Sequence, residues 1–350
     1  MSALDSERLR VVQWATGTVG KSAMRAVIGH PGLELAGVRV YSQAKDGMDA
    51  GEICGLAPIG VTATRDIETI LALRPDCVIY MPESTDMDDV CRILENGSNI
   101  VSTRAEFFNP ARMDAALRAR IEAACRMGNT SLHSTGSSPG FITEALPIVL
   151  LSLQRQLDCL TIDEFANCID GCSEEMLLGI MGFGDAPDVF GERNLADRDV
   201  VFEHSLSVVA DAAGLKIDRF EASSEIALTR APTKLHRTTI NAGTVGGQRY
   251  TLTAISDDKP LLRFRSNWFV TMDLEPEWNL RDDGWRVVVE GDTPLDITIR
   301  FPIPNDAEAR SLFLPRLTAH RPVNAIPAVC AAPPGILTTV DLPQIIARLG

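Results

Sequence analysis

A glycine-rich segment near the start of the chain has the spacing of a phosphate-binding loop. In residues 14–21 (WATGTVGK), Gly17 and Gly20 occupy the second and third glycine positions of the pattern G-x-G-x-x-G, and Ala15 occupies the first. Gly17 lets the backbone approach a pyrophosphate, and Gly20 lets a helix lie close to the preceding strand. The alternative is a strand-to-helix turn that binds nothing. The loop residues predicted to contact a dinucleotide are Thr16, Gly17, Thr18, Val19 and Gly20.

The end of the second predicted strand bears on the choice between NAD and NADP. A site for NAD places an Asp or Glu there, which binds the ribose hydroxyls. In this chain Ser42 stands at that point, and the first carboxylate after it is Asp46. Ser42 can donate a hydrogen bond to a 2′-phosphate and Lys45 can neutralise its charge, so the sequence favours NADP, with NAD as the alternative. A solvated loop lysine is the other interpretation of Lys45.

Glu106 is the candidate catalytic residue. It follows the fourth predicted strand, in the segment STRAEFF, at the edge where open α/β sheets bind their ligands. Phe107 and Phe108 come directly after it, and Phe141 lies in another loop at a strand end. A carboxyl group beside apolar rings is desolvated, which suits it to take up and return protons near neutral pH. The alternative is a surface glutamate near the start of a helix.

The remaining histidines and cysteines form no recognised catalytic or metal-binding motif. His133 ends a predicted strand, where a histidine is more often packed than catalytic. Cys168 and Cys172 are close in sequence, but neither a second cysteine pair nor a histidine cluster accompanies them. We therefore predict no metal site.

The composition excludes several classes of partner. The chain of 350 residues carries 33 Lys and Arg against 47 Asp and Glu, a net charge of −14, so nucleic acid would be repelled. Residues 1–10 lack the pattern of a signal peptide, and the apolar run at residues 145–153 is too short to span a bilayer. We expect a cytoplasmic protein without a membrane partner.

The order of predicted elements indicates two domains. Strands at residues 9–15, 33–41, 76–81, 99–102 and 129–133 alternate with helices, which predicts an α/β Rossmann domain with a doubly wound parallel sheet. Met81 and Thr103, at the ends of two of these strands, are further predicted cofactor contacts. Between residues 218 and 301 mostly strands follow one another, which predicts an α+β domain with a mostly antiparallel sheet.

Several motifs together resemble the 2,4-diaminopentanoate dehydrogenase and native amine dehydrogenase family, relatives of dihydrodipicolinate reductase. They are WATGTVGK, VYSQAKDGMDAGEICG, STRAEFF, TGSSPGFITEALP, FANCID with MLLGIMGFG, and VNAIPAVCAAPPGI, and they extend over nearly the whole chain. The resemblance implies a homodimer. It also implies a dinucleotide-binding domain of residues 1–145 with 320–350, a substrate-binding and dimerisation domain of residues 146–319, and a substrate between the two.

The resemblance also implies roles for single residues. Glu106 matches the glutamate that activates ammonia, Asn324 would lie near the cofactor, and Asn167 matches a pocket asparagine. The residues that would line the apolar part of the pocket are Phe141, Met176, Leu177, Ile180 and Met181. Cys168 stands where some family members carry a tyrosine, and the paired histidines and lysine motif of dihydrodipicolinate reductase are missing, so the substrate differs from that enzyme's.

The leading functional hypothesis is an NADP-dependent oxidoreductase. It would interconvert a primary amine with a ketone or aldehyde plus ammonia, its small-molecule partners. One alternative is a reductase of a preformed imine or of a carbonyl compound, which needs no ammonia. Another is a protein that senses NADP without turnover.

Overall fold

A computed structural model describes residues 8–191, 197–304 and 306–349. The chain divides into two units. Unit 1 comprises Met1–Phe141 and Pro315–Gly350, and unit 2 comprises Ile142–Leu314. No helix in the described ranges is long and apolar enough to cross a membrane.

Unit 1 is built on a seven-stranded parallel sheet. Its strands are β1 (Leu9–Trp14), β2 (Leu33–Arg39), β3 (Ala63–Thr64), β4 (Cys77–Tyr80), β5 (Asn99–Ser102), β6 (Ser131–Ser134) and β16 (Gly335–Leu337). Their order in the sheet is β16-β6-β5-β4-β1-β2-β3. From β1 the strand numbers increase toward both edges of the sheet, which is the topology of a doubly wound sheet.

Helices pack on both faces of this sheet. They are α1 (Thr18–Ile28), α2 (Ala50–Ile53), α3 (Ile67–Ala72), α4 (Met87–Glu95), α5 (Ala115–Gly128) and α10 (Ala307–Cys330), of which the part from Pro315 belongs to unit 1. Alternate strand residues point to opposite faces, so Val11 joins the core under α1 and α10, whereas Val12 joins the core under α3, α4 and α5. The predicted Rossmann architecture of this part of the chain is confirmed.

The segment that returns to unit 1 supplies a helix and a strand. Val323 and Val329 of α10 are buried in the same core as Val11, and Ser131 of β6 donates a hydrogen bond from Oγ to the carbonyl oxygen of Val329 (3.1 Å). Strand β16 then pairs with β6 at the sheet edge. Neither element was predicted, because α10 contains three prolines, which ordinarily break helices, and β16 has only three residues.

Unit 2 is built on a mixed sheet of order β13-β8-β11-β12-β7-β14-β15. Its strands are β7 (Leu157–Asn167), β8 (Arg219–Thr229), β11 (Val245–Ser256), β12 (Lys259–Phe269), β13 (Leu274–Glu275), β14 (Gly284–Gly291) and β15 (Leu295–Arg300). All neighbours are antiparallel except β7 and β12, so the predicted, mostly antiparallel sheet is confirmed. Within the stretch of predicted strands, residues 233–240 form only a short two-stranded pairing of β9 (Thr233–Lys234) with β10 (Thr239–Ile240).

The helices of unit 2 are α6 (Leu146–Leu151), α7 (Cys168–Gly171), α8 (Pro187–Gly191) and α9 (Asp197–Ala213). Phe202 of α9 stacks on Phe264 of β12, with ring centroids 3.9 Å apart, and also approaches Tyr250 of β11. Because successive strand residues alternate, Tyr250 and Phe264 define the sheet face that α9 covers, and Arg249 and Arg265 belong to the other face.

His133 of β6 is fully buried in unit 1 as a neutral imidazole. Its Nδ1 lies 2.9 Å from the carbonyl oxygen of Leu337, and since a carbonyl only accepts, Nδ1 carries the proton. Burial lowers the pKa of His133 to about 4. The unfolded chain, with an ordinary histidine, therefore binds more protons than the folded protein between pH 6.5 and pH 4.

We expect His133 to reduce the stability of the protein as the pH falls. Between about pH 7 and about pH 5, the wild type should lose about 2 kcal/mol more of its free energy of unfolding than His133→Gln does. Glutamine keeps a donor for Leu337 but does not titrate, and all other groups are common to both proteins. Urea unfolding at the two pH values measures the difference, and equal losses would show that His133 is not the cause.

Candidate active site

The phosphate-loop segment connects β1 to α1 in unit 1. Strand β1 ends at Trp14, and Ala15 adopts a left-handed conformation (φ 75°) that turns the chain. Gly17 is the N-cap residue of α1 and offers no side chain to the first backbone N–H groups. By contrast, α3 and α4 are capped by Asp66 and Asp86. The uncapped N–H groups and the positive end of the helix dipole can therefore bind an anion.

Lys45 contacts this loop. Its Nζ donates to the carbonyl oxygen and to Oγ1 of Thr16, at 3.0 Å each. Burial lowers the pKa of Lys45, and the charge of Lys21 lowers it further. Ser42 accepts a hydrogen bond from the N–H of Ala44 and caps the short 3-10 turn Gln43–Lys45. The predicted residues Ser42 and Lys45 thus belong to one turn, which brings the ammonium group to the loop.

The other predicted cofactor contacts fall into two groups. Met81 and Thr103 directly follow β4 and β5, and the N–H of Met81 donates to the carbonyl oxygen of Trp14 (3.1 Å), so Met81 lies at the same sheet edge as the loop. Asn324 lies elsewhere. It lines a cleft with Arg25 and Gly29, at the far end of α1 from the phosphate loop, and the structure does not bring it to the other predicted residues.

Glu106 lies in the 3-10 turn Ala105–Phe107 that follows β5, and it is partly exposed. Its Oε1 accepts hydrogen bonds from the hydroxyl of Thr85 and from Nε of Arg104 (3.2 Å). Arg104 Nε also lies 3.0 Å from Thr85 Oγ1, and its Nη1 donates to the carbonyl oxygen of Glu83 (2.7 Å). The loops after β4 and β5 therefore hold the carboxylate between a hydroxyl and a guanidinium group.

These surroundings differ from the expected apolar ones. The rings of Phe107 and Phe108 are fully buried, and Phe107 belongs to the core under α3, α4 and α5. They anchor the turn, while polar groups contact the carboxylate. Sequence reasoning missed Thr85 and Arg104 as partners of Glu106. Arg104 could have been found from its position two residues away, and Thr85 from the rule that neighbouring parallel strands end at one edge.

The predicted pocket residues are distributed over both units. Phe141 belongs to unit 1, where the Arg321 guanidinium carbon lies 5.8 Å from its ring centroid. In unit 2, Asn167 caps α7 by accepting the N–H of Ile169 (3.2 Å). Met176, Leu177 and Ile180 belong to the π-helical turn Met176–Ile180, and Met176 and Ile180 are exposed while Leu177 is fully buried in the core of the unit.

No group of three or more His, Cys, Asp or Glu side chains in the described ranges could hold a metal ion. The loop, by contrast, offers features that fit a dinucleotide phosphate. A Cβ built at Gly17 would have no atom of a residue distant in sequence within 4 Å, so the space in front of the helix start is open. Backbone donors, an open approach and the ammonium group of Lys45 are therefore found together.

Two family profiles match the chain. The profile described as 2,4-diaminopentanoate dehydrogenase C-terminal domain matches residues 165–350, which is more than half of the chain. The profile described as dihydrodipicolinate reductase, N-terminus, matches residues 11–104.

Relatives of the whole chain are also found. An amine dehydrogenase of Streptomyces virginiae is 29% identical over 358 residues, covering 98% of this chain and 99% of the relative. The 2,4-diaminopentanoate dehydrogenase of Acetoanaerobium sticklandii is 22% identical over 365 residues, covering 98% and 96%. The solved structure of an amine dehydrogenase from Mycobacterium smegmatis matches with a TM-score of 0.80 at 20% identity and covers 99% of each chain, which shows the same fold.

The two loop glycines should respond differently to substitution by alanine. A Cβ at Gly20 would clash with the carbonyl oxygen of Ala15 and lie 3.0 Å from Gln13 Nε2, so Gly20→Ala should destabilise the protein by about 1–3 kcal/mol. Gly17→Ala meets no atom and should change stability by no more than about 0.5 kcal/mol. Urea unfolding of both variants tests this. Equal losses would contradict the close approach of α1 to β1 at Gly20.

Proposed function

We propose that this chain, which belongs to the family of the 2,4-diaminopentanoate dehydrogenase C-terminal domain, is an NADP-dependent oxidoreductase that interconverts a primary amine with a ketone or aldehyde plus ammonia. Action on amines is what the names of its full-length relatives describe. The observation that carries the proposal is the Glu106 carboxylate, held at the same edge of the parallel sheet as the phosphate loop.

Residues of unit 1 would bind the cofactor. The N–H groups at the start of α1 would receive the pyrophosphate, with Thr16, Gly17, Thr18, Val19 and Gly20 as the loop residues concerned. Ser42 and Lys45 would receive the 2′-phosphate, and Met81 and Thr103 would contact the part of the cofactor that extends along the strand ends. When bound, the nicotinamide accepts or returns the hydride.

Glu106 would move the protons. An aliphatic amine is protonated at neutral pH and must lose a proton before its carbon can give up a hydride, and the Glu106 carboxylate can accept that proton. In the reverse direction the same group can help the carbinolamine to lose water. Thr85 and Arg104 both contact Oε1, so we assign Oε2 to the substrate nitrogen.

Other residues would contact the substrate or the cofactor less directly. Met176, Ile180 and Phe141 offer apolar side chains for the hydrocarbon part of an amine, and Leu177 supports their segment from the core of unit 2. Asn167 would supply a polar contact. Asn324 lines a cleft with Arg25 and Gly29, and its contact with the cofactor stays a prediction.

A homodimer in the cytoplasm is part of the proposal. The sheet face of unit 2 opposite α9 carries Arg249, Arg265 and Asp163, and such a face can pair with a second copy. All eight cysteines are free thiols, which is typical of a reducing compartment. Light scattering of the full chain measures its mass in solution. We expect the mass of a dimer, and the mass of a monomer would contradict the proposed homodimer.

Dependence on ammonia is the test of the proposed reaction. NADPH oxidation should be measured with a panel of aldehydes and ketones, with and without ammonium, and NADP reduction with the matching primary amines. We expect carbonyl-dependent NADPH oxidation to require ammonia. Equal rates without ammonia would indicate a carbonyl reductase, and tight NADPH binding without turnover of any compound would indicate a sensor.

Replacing the Glu106 carboxylate should strongly reduce turnover and leave cofactor binding unchanged. Glu106→Gln keeps the shape and can still contact Arg104, but it cannot take a proton, so turnover should fall by about 10²-fold or more. The NADPH dissociation constant should hardly change. Glu34→Gln makes the same substitution at an exposed position of β2 and serves as the control. If Glu106→Gln retained most of the amine oxidation rate, another group would carry the proton.

Lys45 should distinguish NADPH from NADH. Lys45→Gln keeps a donor for Thr16 but loses the charge, so the NADPH dissociation constant should rise by about tenfold, a loss of about 1.4 kcal/mol. NADH has no 2′-phosphate and should bind as before. Titration of nicotinamide fluorescence measures both, with Lys259→Gln, at an exposed position of unit 2, as the control. Equal weakening of both cofactors would show that Lys45 acts only by ordering the loop.

A further inference from the structure

Two thiols lie side by side in unit 2, within one helical turn. The N–H of Cys172 donates to the carbonyl oxygen of Cys168 (3.1 Å), which closes the turn of α7, and the Cys168 thiol donates to the carbonyl oxygen of Ala166 (3.6 Å). Both belong to the same apolar cluster, which also contains Leu177 and Met181. Neither thiol has a role in the proposed reaction.

The environment makes the two sulfurs unequal. The neighbouring Cys172 thiol, together with burial, raises the pKa of Cys168 well above its ordinary value. The neighbouring Cys168 thiol lowers the pKa of Cys172 to about 7 against the opposing effect of burial, and the charge of His236 lowers it further. His236 is held beside the turn, with Nε2 3.1 Å from the carbonyl oxygen of Cys172. Cys172 is thus the more acidic thiol of the two and the better nucleophile.

Access to solvent also makes Cys172 the more reactive of the two thiols. Cys168 is buried, whereas Cys172 is partly exposed. Burial is the main cause of a raised pKa in five other cysteines, and it makes their thiols poor nucleophiles. These are Cys54, Cys77, Cys91, Cys125 and Cys159.

We propose that Cys168 and Cys172 are an oxidisable dithiol that forms a reversible intrachain disulfide on reaction with a hydroperoxide. The Cys172 thiolate attacks the peroxide, takes one oxygen and a proton to become a sulfenic acid, and releases an alcohol, or water when the oxidant is hydrogen peroxide. The Cys168 thiol then attacks the Cys172 sulfur. The S–S bond forms, the S–O bond breaks and water leaves, so two thiols are oxidised and one peroxide bond is reduced. A small dithiol reverses the reaction by exchange.

The bond would change the segment that carries the predicted pocket residues. Residues four apart on a helical turn have Cβ atoms about 5–6 Å apart, whereas a disulfide requires about 3.5–4.5 Å. The turn must therefore tighten by about 1–2 Å. Asn167 caps this turn, and Met176–Ile180 follows it within a few residues. Oxidation thus acts on the position of Asn167.

Mass spectrometry of the full chain tests the proposal without any measurement of turnover. The reduced protein is treated with a few equivalents of hydrogen peroxide, residual thiols are alkylated, and the chain is cleaved before Asp170, which lies between the two cysteines. We expect the flanking peptides to be joined and to separate on reduction. A product in which Cys172 is oxidised but never joined to Cys168, or in which another cysteine reacts first, would overturn the proposal.

Serine variants identify the order of events. Cys172→Ser should abolish the bond and leave Cys168 unoxidised, because Cys168 does not start the reaction. Cys168→Ser should leave a sulfenic acid on Cys172 that a dimedone probe captures. Cys330→Ser is the control, since it removes one thiol of the neighbouring pair Cys77 and Cys330 in unit 1 and should leave the Cys168–Cys172 bond unchanged. Oxidation of Cys168 in Cys172→Ser at the wild-type rate would contradict the assigned order.

Discussion

The parallel pairing of β1, β4 and β5 is the interaction on which the candidate site in unit 1 depends. Its register sets Trp14 opposite Tyr80 and Tyr80 opposite Ser102, so the three strands end level with one another. A hydrogen bond from Ser102 Oγ to the carbonyl oxygen of Tyr80 (2.7 Å) adds to this register. The phosphate loop, the loop with Thr85 and the loop with Glu106 consequently begin at the same height. A slip of one residue would turn each strand's side chains to the other face and separate these groups.

Much of the fold followed from patterns that act over short distances. Strands alternating with helices predicted the parallel sheet, and consecutive strands predicted the second sheet. Both patterns are visible because a helix or strand that buries one face repeats its apolar residues at a regular spacing. The motifs added the family, which the match over residues 165–350 confirms. What could not be predicted depends on partners distant in sequence. Helix α10 forms despite its three prolines because its apolar side chains are buried against α1 and the sheet. Strand β16 forms because it pairs with the edge of β6.

In the candidate site, too, the features set by local sequence were predicted and the contacts between distant residues were not. The glycine spacing, the missing carboxylate after the second strand and the acidic residue after the fourth were visible along the chain. The contact of Lys45 with Thr16 and that of Thr85 with Glu106 join loops 29 and 21 residues apart. The two phenylalanines beside Glu106 suggested apolar surroundings, but the 3-10 turn sends their rings into the core and leaves the carboxylate with polar neighbours. Sequence adjacency therefore predicted which residue lies at the sheet edge better than it predicted what that residue touches.

The edge strand β16 has a consequence for how the molecule is made. During translation the ribosome releases β1 to β6 first, then the whole of unit 2, and only afterwards the residues of β16. Until then the outer side of β6 presents unpaired backbone groups, which other nascent chains can recognise. The nascent sheet therefore has to wait for about 200 further residues, a delay of roughly ten seconds or more at ordinary elongation rates. Chaperone occupancy should accordingly be highest in that interval, and mutations that slow the folding of unit 2 should lower the yield of unit 1 as well.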